Sequence, residues 1–191
     1  MASRSNLGIE NQLVVFIERL VDFEEMMALG FNLQSTVYQK GWDNFFDMFY
    51  GPTYPNLIKD FWVNASIQDL NLESFILFIV YGVPITITPT SIANSINCED
   101  EGVILNMLVW ESYLYPHLIF GDLSDLSKVS SLNSKALVRY HLLISNLLPK
   151  NRDPTSLDID EHDFLLLLNS NLKINLPQVM FDYLKMTLTS Y

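Results

Sequence analysis

Between Gly41 and Ala65 the chain places Trp42, Phe45, Phe46, Phe49, Tyr50, Tyr54, Phe61 and Trp62 around a Gly51-Pro52 pair and a further proline, Pro55. Aromatic side chains at this density must bury most of their area against one another or against neighbouring elements. Gly-Pro marks a turn. The stretch therefore reads as a corner made of two short aromatic helices. The first covers about 42–49 and stops at Gly51-Pro52. The second starts at Tyr54-Pro55, where a first-turn proline lacks only an N–H that has no helical partner anyway. Leu57, Ile58, Phe61, Trp62 and Ala65 form the stripe this second helix is expected to bury, with Asn56, Lys59 and Asp60 facing out. Aromatic clusters can also be base-stacking platforms, but such platforms sit in basic grooves. The charges interleaved here are Asp43, Asp47, Lys59 and Asp60, so the corner reads as structural.

The rest of the chain supplies elements to pack on that corner. Residues 1–7 read as a frayed N-terminus. Leu13, Phe16, Ile17, Leu20, Val21 and Met27 recur at the spacing of one helix face, predicting a helix from Ile9 to about Leu29 that ends at Gly30. Residues 31–40 read as a connection and 66–73 as a polar loop. Ser74–Tyr81 and Val83–Thr88 have strand character around Gly82, which predicts a β-hairpin with Pro84 near the turn or on an edge. Thr88-Pro89 has the form of an N-cap and first helical residue, opening a helix to about Asn97. Residues 98–102 read as an exposed acidic turn, 103–120 as helical with a break at Pro116, and 122–129 as a loop with a short helix. Residues 133–148 are apolar almost all round and predict a central, largely buried helix ended by Pro149, with His141 as a core histidine. Asp158 and Glu161 have capping-box spacing ahead of Phe164–Leu168, and a last helix runs from about Leu176 to Leu188. The fold class is mostly α (α+β by strict labels): one globular helical domain over residues 8–191, of about seven to nine helices with a small β-hairpin.

Charge and cysteine usage narrow the function. Twenty-two acidic against 11 basic residues give a net charge of −11, which repels phosphate backbones, so nucleic acid is disfavoured as a partner. Cys98 is the sole cysteine. No intramolecular disulfide can form, which fits an intracellular setting, nuclear or cytoplasmic. The longest apolar run, Phe75–Ile87, is interrupted by Gly82 and Pro84 and is shorter than the roughly 20 residues that span a bilayer, so no membrane association is expected. There is no G-x-S-x-G elbow, no Walker A sequence and no G-x-G-x-x-G. Cys98 lies among acids that would raise its pKa and weaken it as a nucleophile. His162 stands among Asp158, Asp160, Glu161 and Asp163, but the spacing is not that of a helical zinc motif, and the acids complement a helix N-terminus. The expectation is therefore no catalytic residue, no metal, no cofactor and no small-molecule substrate.

Several short motifs, in order, resemble the plant transposon protein domain, a domain widespread in plant genomes and called envelope-like in legume retroelements. They are Gly41-Trp42 with Phe45-Phe46; Tyr54-Pro55-Asn56-Leu57; Lys59 to Val63; Gly82 to Thr88 with the following helix; Leu147-Leu148-Pro149 before Asp158; and Lys173 to Pro177 ahead of Phe181. They cover roughly residues 37–190. The resemblance implies a retroelement-derived, non-enzymatic protein of unknown biological role and carries over no catalytic residue. The acidic surface and the aromatic corner suit a protein–protein interaction module, binding a protein partner or a second copy, with Trp42, Phe49, Tyr50 and Trp62 as the expected contact residues where an apolar patch stays exposed. The alternatives are a nucleic-acid-binding accessory protein of a mobile element, or a remnant of a metal-dependent transposase or nuclease. The last requires Asp158, Asp160, His162 and Asp163 to converge.

Overall fold

The computed structural model describes residues 20–71, 73–105, 116–148, 153 and 155–189. Among these it has eight α-helices and one three-stranded antiparallel sheet of order β1-β2-β3. The helices are α1 (Phe23–Ala28), α2 (Leu33–Lys40), α3 (Asp43–Asp47), α4 (Pro55–Asn64), α5 (Pro89–Ile96), α6 (Ser134–Leu142), α7 (Ile159–Asn169) and α8 (Leu176–Thr189). The strands are β1 (Ser66–Leu70), β2 (Glu73–Val80) and β3 (Val83–Ile87). A single 3-10 turn, Met48–Tyr50, extends α3, and a π-helical turn, Leu143–Leu147, extends α6. The mostly α reading holds.

Local chemistry explains most element ends. The Asp22 side chain accepts from the Glu25 N–H and opens α1. Beyond Leu29, the Gly30 and Phe31 N–H groups return to the Met27 and Met26 carbonyls, which closes it. The expected helix from Ile9 is described only from Leu20 onward, and there it begins at Phe23. Thr88 and Ser91 form a reciprocal capping box with Pro89 in the first turn of α5. Asp158 and Glu161 do the same for α7, Glu161 accepting from the Asp158 N–H at 2.8 Å.

Three expectations are corrected. The connection at 31–40 contains α2, capped at its start by Asn32 and closed at Gly41 in the left-handed conformation. The polar loop at 66–73 is largely β1, paired with β2 from Ser66↔Leu77 to Leu70↔Glu73. The helical reading of 103–120 fails at its start, because Val103 forms a parallel bridge with Ile174. Its centre, 106–115, lies outside the described residues, as do Pro149 and residues 1–7. Gly102 makes the bridge feasible: its φ is +125°, and a Cβ there would stand 2.7 Å from the Lys173 carbonyl.

The β2–β3 turn is Tyr81-Gly82, with φ of 49° and 83°. Two positive φ values are what a two-residue hairpin turn needs to match the strands' twist. Val80 and Val83 are paired across it, as are Ile79 and Pro84. Ladder bonds alternate from pair to pair, so Pro84, next to the turn-flanking pair, directs its missing N–H away from β2. It stands on β3, an edge of the sheet.

Two apolar clusters make the core. The larger gathers Trp42, Phe45 and Phe46 of the corner, Ile76 of β2, Ile92 and Ile96 of α5, Leu143 of the π turn, Phe164 and Leu167 of α7, and Leu176 and Val179 around α8. The smaller holds Ile119, Phe120, Leu132, Ala136, Tyr140, Leu157 and Leu165. Helix α7 serves both, and every residue from Glu161 to Leu168 is buried. It is thus more enclosed than α6, the helix expected to be central, on whose surface His141 is exposed rather than in the core. The C-terminal carbonyls of α7 are held by an unusual group. Lys40 is buried, and its Nζ donates to the carbonyls of Leu167 (2.8 Å), Ser170 (2.8 Å) and Leu172 (2.6 Å). Burial, with the nearby Arg139 charge, pushes this ammonium down to about 8, while three acceptors match its three donors.

Candidate interaction surface

Reactive groups do not assemble. Among the described residues no set of three or more His, Cys, Asp or Glu side chains is placed to hold a metal ion. Helical geometry explains the failure of the 158–163 cluster. Asp158 caps α7 and Asp160 points to solvent, while His162 and Asp163 turn into the core. A polar cleft of about 430 Å³ lies between the α2–α3 junction and residues 97–99, lined in part by Lys40, Asn44, Cys98, Glu99 and Lys173. Its polar groups face one another. Lys40 is occupied by three carbonyls, Lys173 is ion-paired with Glu99, and Asn44 donates to the Asn97 carbonyl at 3.2 Å. Burial pushes the Cys98 thiol up, with Asp100 adding to it and Lys173 opposing, so the thiolate that a nucleophile requires is disfavoured.

The sheet offers something different. On β2 the side chains alternate, with Ile76 and Phe78 buried on one face and Phe75, Leu77 and Ile79 on the other. Helix α4 covers the first face near Phe78, whose ring meets Phe61 edge-on at 5.3 Å. By register Ile85 and Val83 of β3 share the face of Phe78, and Ile79 lies on the opposite one. Ile79 is 53% exposed, Val83 61%, Ile85 43%, and Tyr81 at the turn is fully exposed. Tyr50, Tyr54 and Met48 on the aromatic corner are exposed as well. Both places lie in charge-free stretches, residues 74–98 and 48–58, of a chain that is otherwise strongly acidic. Monomeric surfaces scatter single apolar residues, whereas here several are exposed on one hairpin.

The four expected contact residues separate. Trp42 is 1% exposed, tilted against Phe164 with ring centroids 5.9 Å apart, so it belongs to the core and not to a surface. Phe49 is half-buried against Phe45 and Phe46, and Trp62 half-buried against Phe61. Tyr50 is exposed. The α4 stripe is shallower than expected: none of its residues is fully buried, and Leu57 is exposed. Ile79, Tyr81, Val83 and Ile85 are not among the expected contact residues, because strand character alone does not say which side chains of a hairpin are covered. The signal that would have found them is the absence of any charge from 74 to 98, too long a run for one short hairpin to hide. Compared with known proteins, the chain matches no family model, no curated protein and no solved structure.

Proposed function

We propose that this chain is a non-enzymatic protein-interaction module that contacts its partner, another protein or a second copy, through the tip of the β2–β3 hairpin. The carrying observation is the full exposure of Tyr81 together with Ile79, Val83 and Ile85 on a hairpin that carries no charge from Ser74 to Ile87. Apolar and aromatic side chains that are solvated in the free chain release their hydration when a partner covers them, which drives association without directional chemistry. The non-enzymatic reading draws on the polar cleft, where the lysines are already engaged. Origin in a plant transposable element is part of the proposal and rests on the ordered motifs from Gly41-Trp42 to Lys173–Pro177.

Site-specific photo-crosslinking tests the contact. A crosslinking side chain at Val83 is compared with one at Lys135, an exposed position on α6. The hairpin position is expected to yield one discrete adduct, which Tyr81→Ser abolishes, and the α6 position none. Equal yields from both positions, or none from Val83, would overturn the assignment.

A further inference from the structure

The second turn of α7 carries a buried titratable group that the interaction reading does not use. His162 is 8% exposed, and its ring stands edge-on to Phe120 with centroids 5.2 Å apart. The ring hydrogen-bonds to the backbone of Leu126, and its Nε2 atom is buried with no partner. Phe120 and Leu126 both belong to the smaller apolar cluster, on the segment that covers this side of α7. Among the described residues that segment is joined to its surroundings by backbone bonds from Val129 N–H to the Thr155 carbonyl, from Leu157 N–H to Ser127, and from Asn133 N–H to Ile119, with Gly121 and Asp122 N–H returning to Ser131 within it.

We propose that His162 is an acid-sensitive latch, whose protonation frees residues 119–132 from α7 and opens the smaller cluster while the larger one stays closed. A neutral imidazole needs one acceptor for its single N–H, and Leu126 provides it. The imidazolium has two N–H donors, and the second would be buried without an acceptor. The surrounding charges do not offset this. Asp158, at the start of α7, favours the protonated ring, but burial outweighs it and the pKa is lowered. On the same helix, Glu161 is engaged with the Asp158 N–H, and Asp163 is buried beside it in sequence. On the covering segment, Asp125 and Lys128 flank Leu126 and are ion-paired with each other at 2.8 Å. From α6 comes Tyr140, whose phenol is pushed up to about 12 by burial and then by Glu161, Asp158 and Asp153, so it stays neutral. Because the folded state holds its His162 proton less tightly than the unfolded chain, closure is at full strength above the ordinary histidine pKa of about 6.5. It weakens as pH falls from there through the lowered folded value. The larger cluster has no histidine among its members.

Amide hydrogen exchange, expressed as protection factors at pH 7 and pH 5, tests the latch on the whole chain. Protection at Val129, Asn133 and Leu157 is expected to fall several-fold, on the order of tenfold, at the lower pH. Protection at Phe45 and Ile92 is expected to hold. His162→Gln should remove the pH response, and His117→Gln and His141→Gln, both at exposed positions, should leave it unchanged. Should His162→Gln not fold, the His162 ring protons of the unsubstituted chain are titrated by NMR, and their midpoint must coincide with the loss of protection. A pH response that persists in His162→Gln, a non-coincident midpoint, or equal loss in both clusters would overturn the proposal.

Discussion

Helix α7 and the β2–β3 hairpin invert the usual arrangement of side chains. In α7 the charged or titratable residues Glu161, His162 and Asp163 are buried, whereas in the hairpin Ile79, Val83 and Ile85 are exposed. Both segments are strongly apolar in sequence, FLLLL in one and SFILFIVY in the other. The difference lies in what surrounds them. From Glu161 to Leu168 helix α7 has an apolar cluster on each side, so that stretch is enclosed on every face, whatever residue occupies it. In the hairpin the α4 ring of Phe61 meets Phe78, but apolar residues nearer the turn stay exposed on both faces of the ribbon. Burial is decided by neighbours and hydropathy only proposes it, so polar groups inside α7 have to find internal partners while apolar groups on the hairpin remain free for external ones.

Three variants grade this contrast, from the largest effect to the smallest. Phe164→Ala removes a fully buried ring packed on Trp42 and is expected to cost about 3–5 kcal/mol in denaturant unfolding. Lys40→Met keeps the stem but takes the Nζ donor from the Ser170 and Leu172 carbonyls, while the Leu167 carbonyl keeps the Ser170 N–H and hydroxyl. Since breaking a buried charged arrangement leaves its other members unsatisfied, a loss of about 2–3 kcal/mol is expected in the same measurement. The double substitution Tyr81→Ser with Val83→Thr replaces exposed side chains only. It should change unfolding stability by no more than about 0.5 kcal/mol while abolishing the crosslinked adduct. A loss as large as that of Phe164→Ala would place the hairpin inside the fold and end the contrast.

What could be read from the sequence was local. Asp158 with Glu161, Thr88-Pro89, Gly30 and Gly82 each specify a backbone event within a few residues, and each is found where it was expected. Helix α2 escaped because LQSTVYQK shows little apolar periodicity; its support comes from Asn32, Gly41 and the reach of Lys40 to residues far along the chain. Strand β1 escaped because SIQDL is an edge strand with one half-buried residue, and edges carry weak patterns. The contact surface was half legible. Aromatic density located the corner, but Trp42 is drawn inward by Phe164, a partner more than a hundred residues away that no local pattern announces.

Pro84 sets a limit on how this molecule can assemble. A second strand added to β3 would find the Pro84 donor missing from the outward row beside the turn, so ladder bonding at this edge is impaired, whereas β1, the opposite edge, carries no proline. Pairing with a further strand is thereby steered to the β1 side of the sheet and away from the apolar tip.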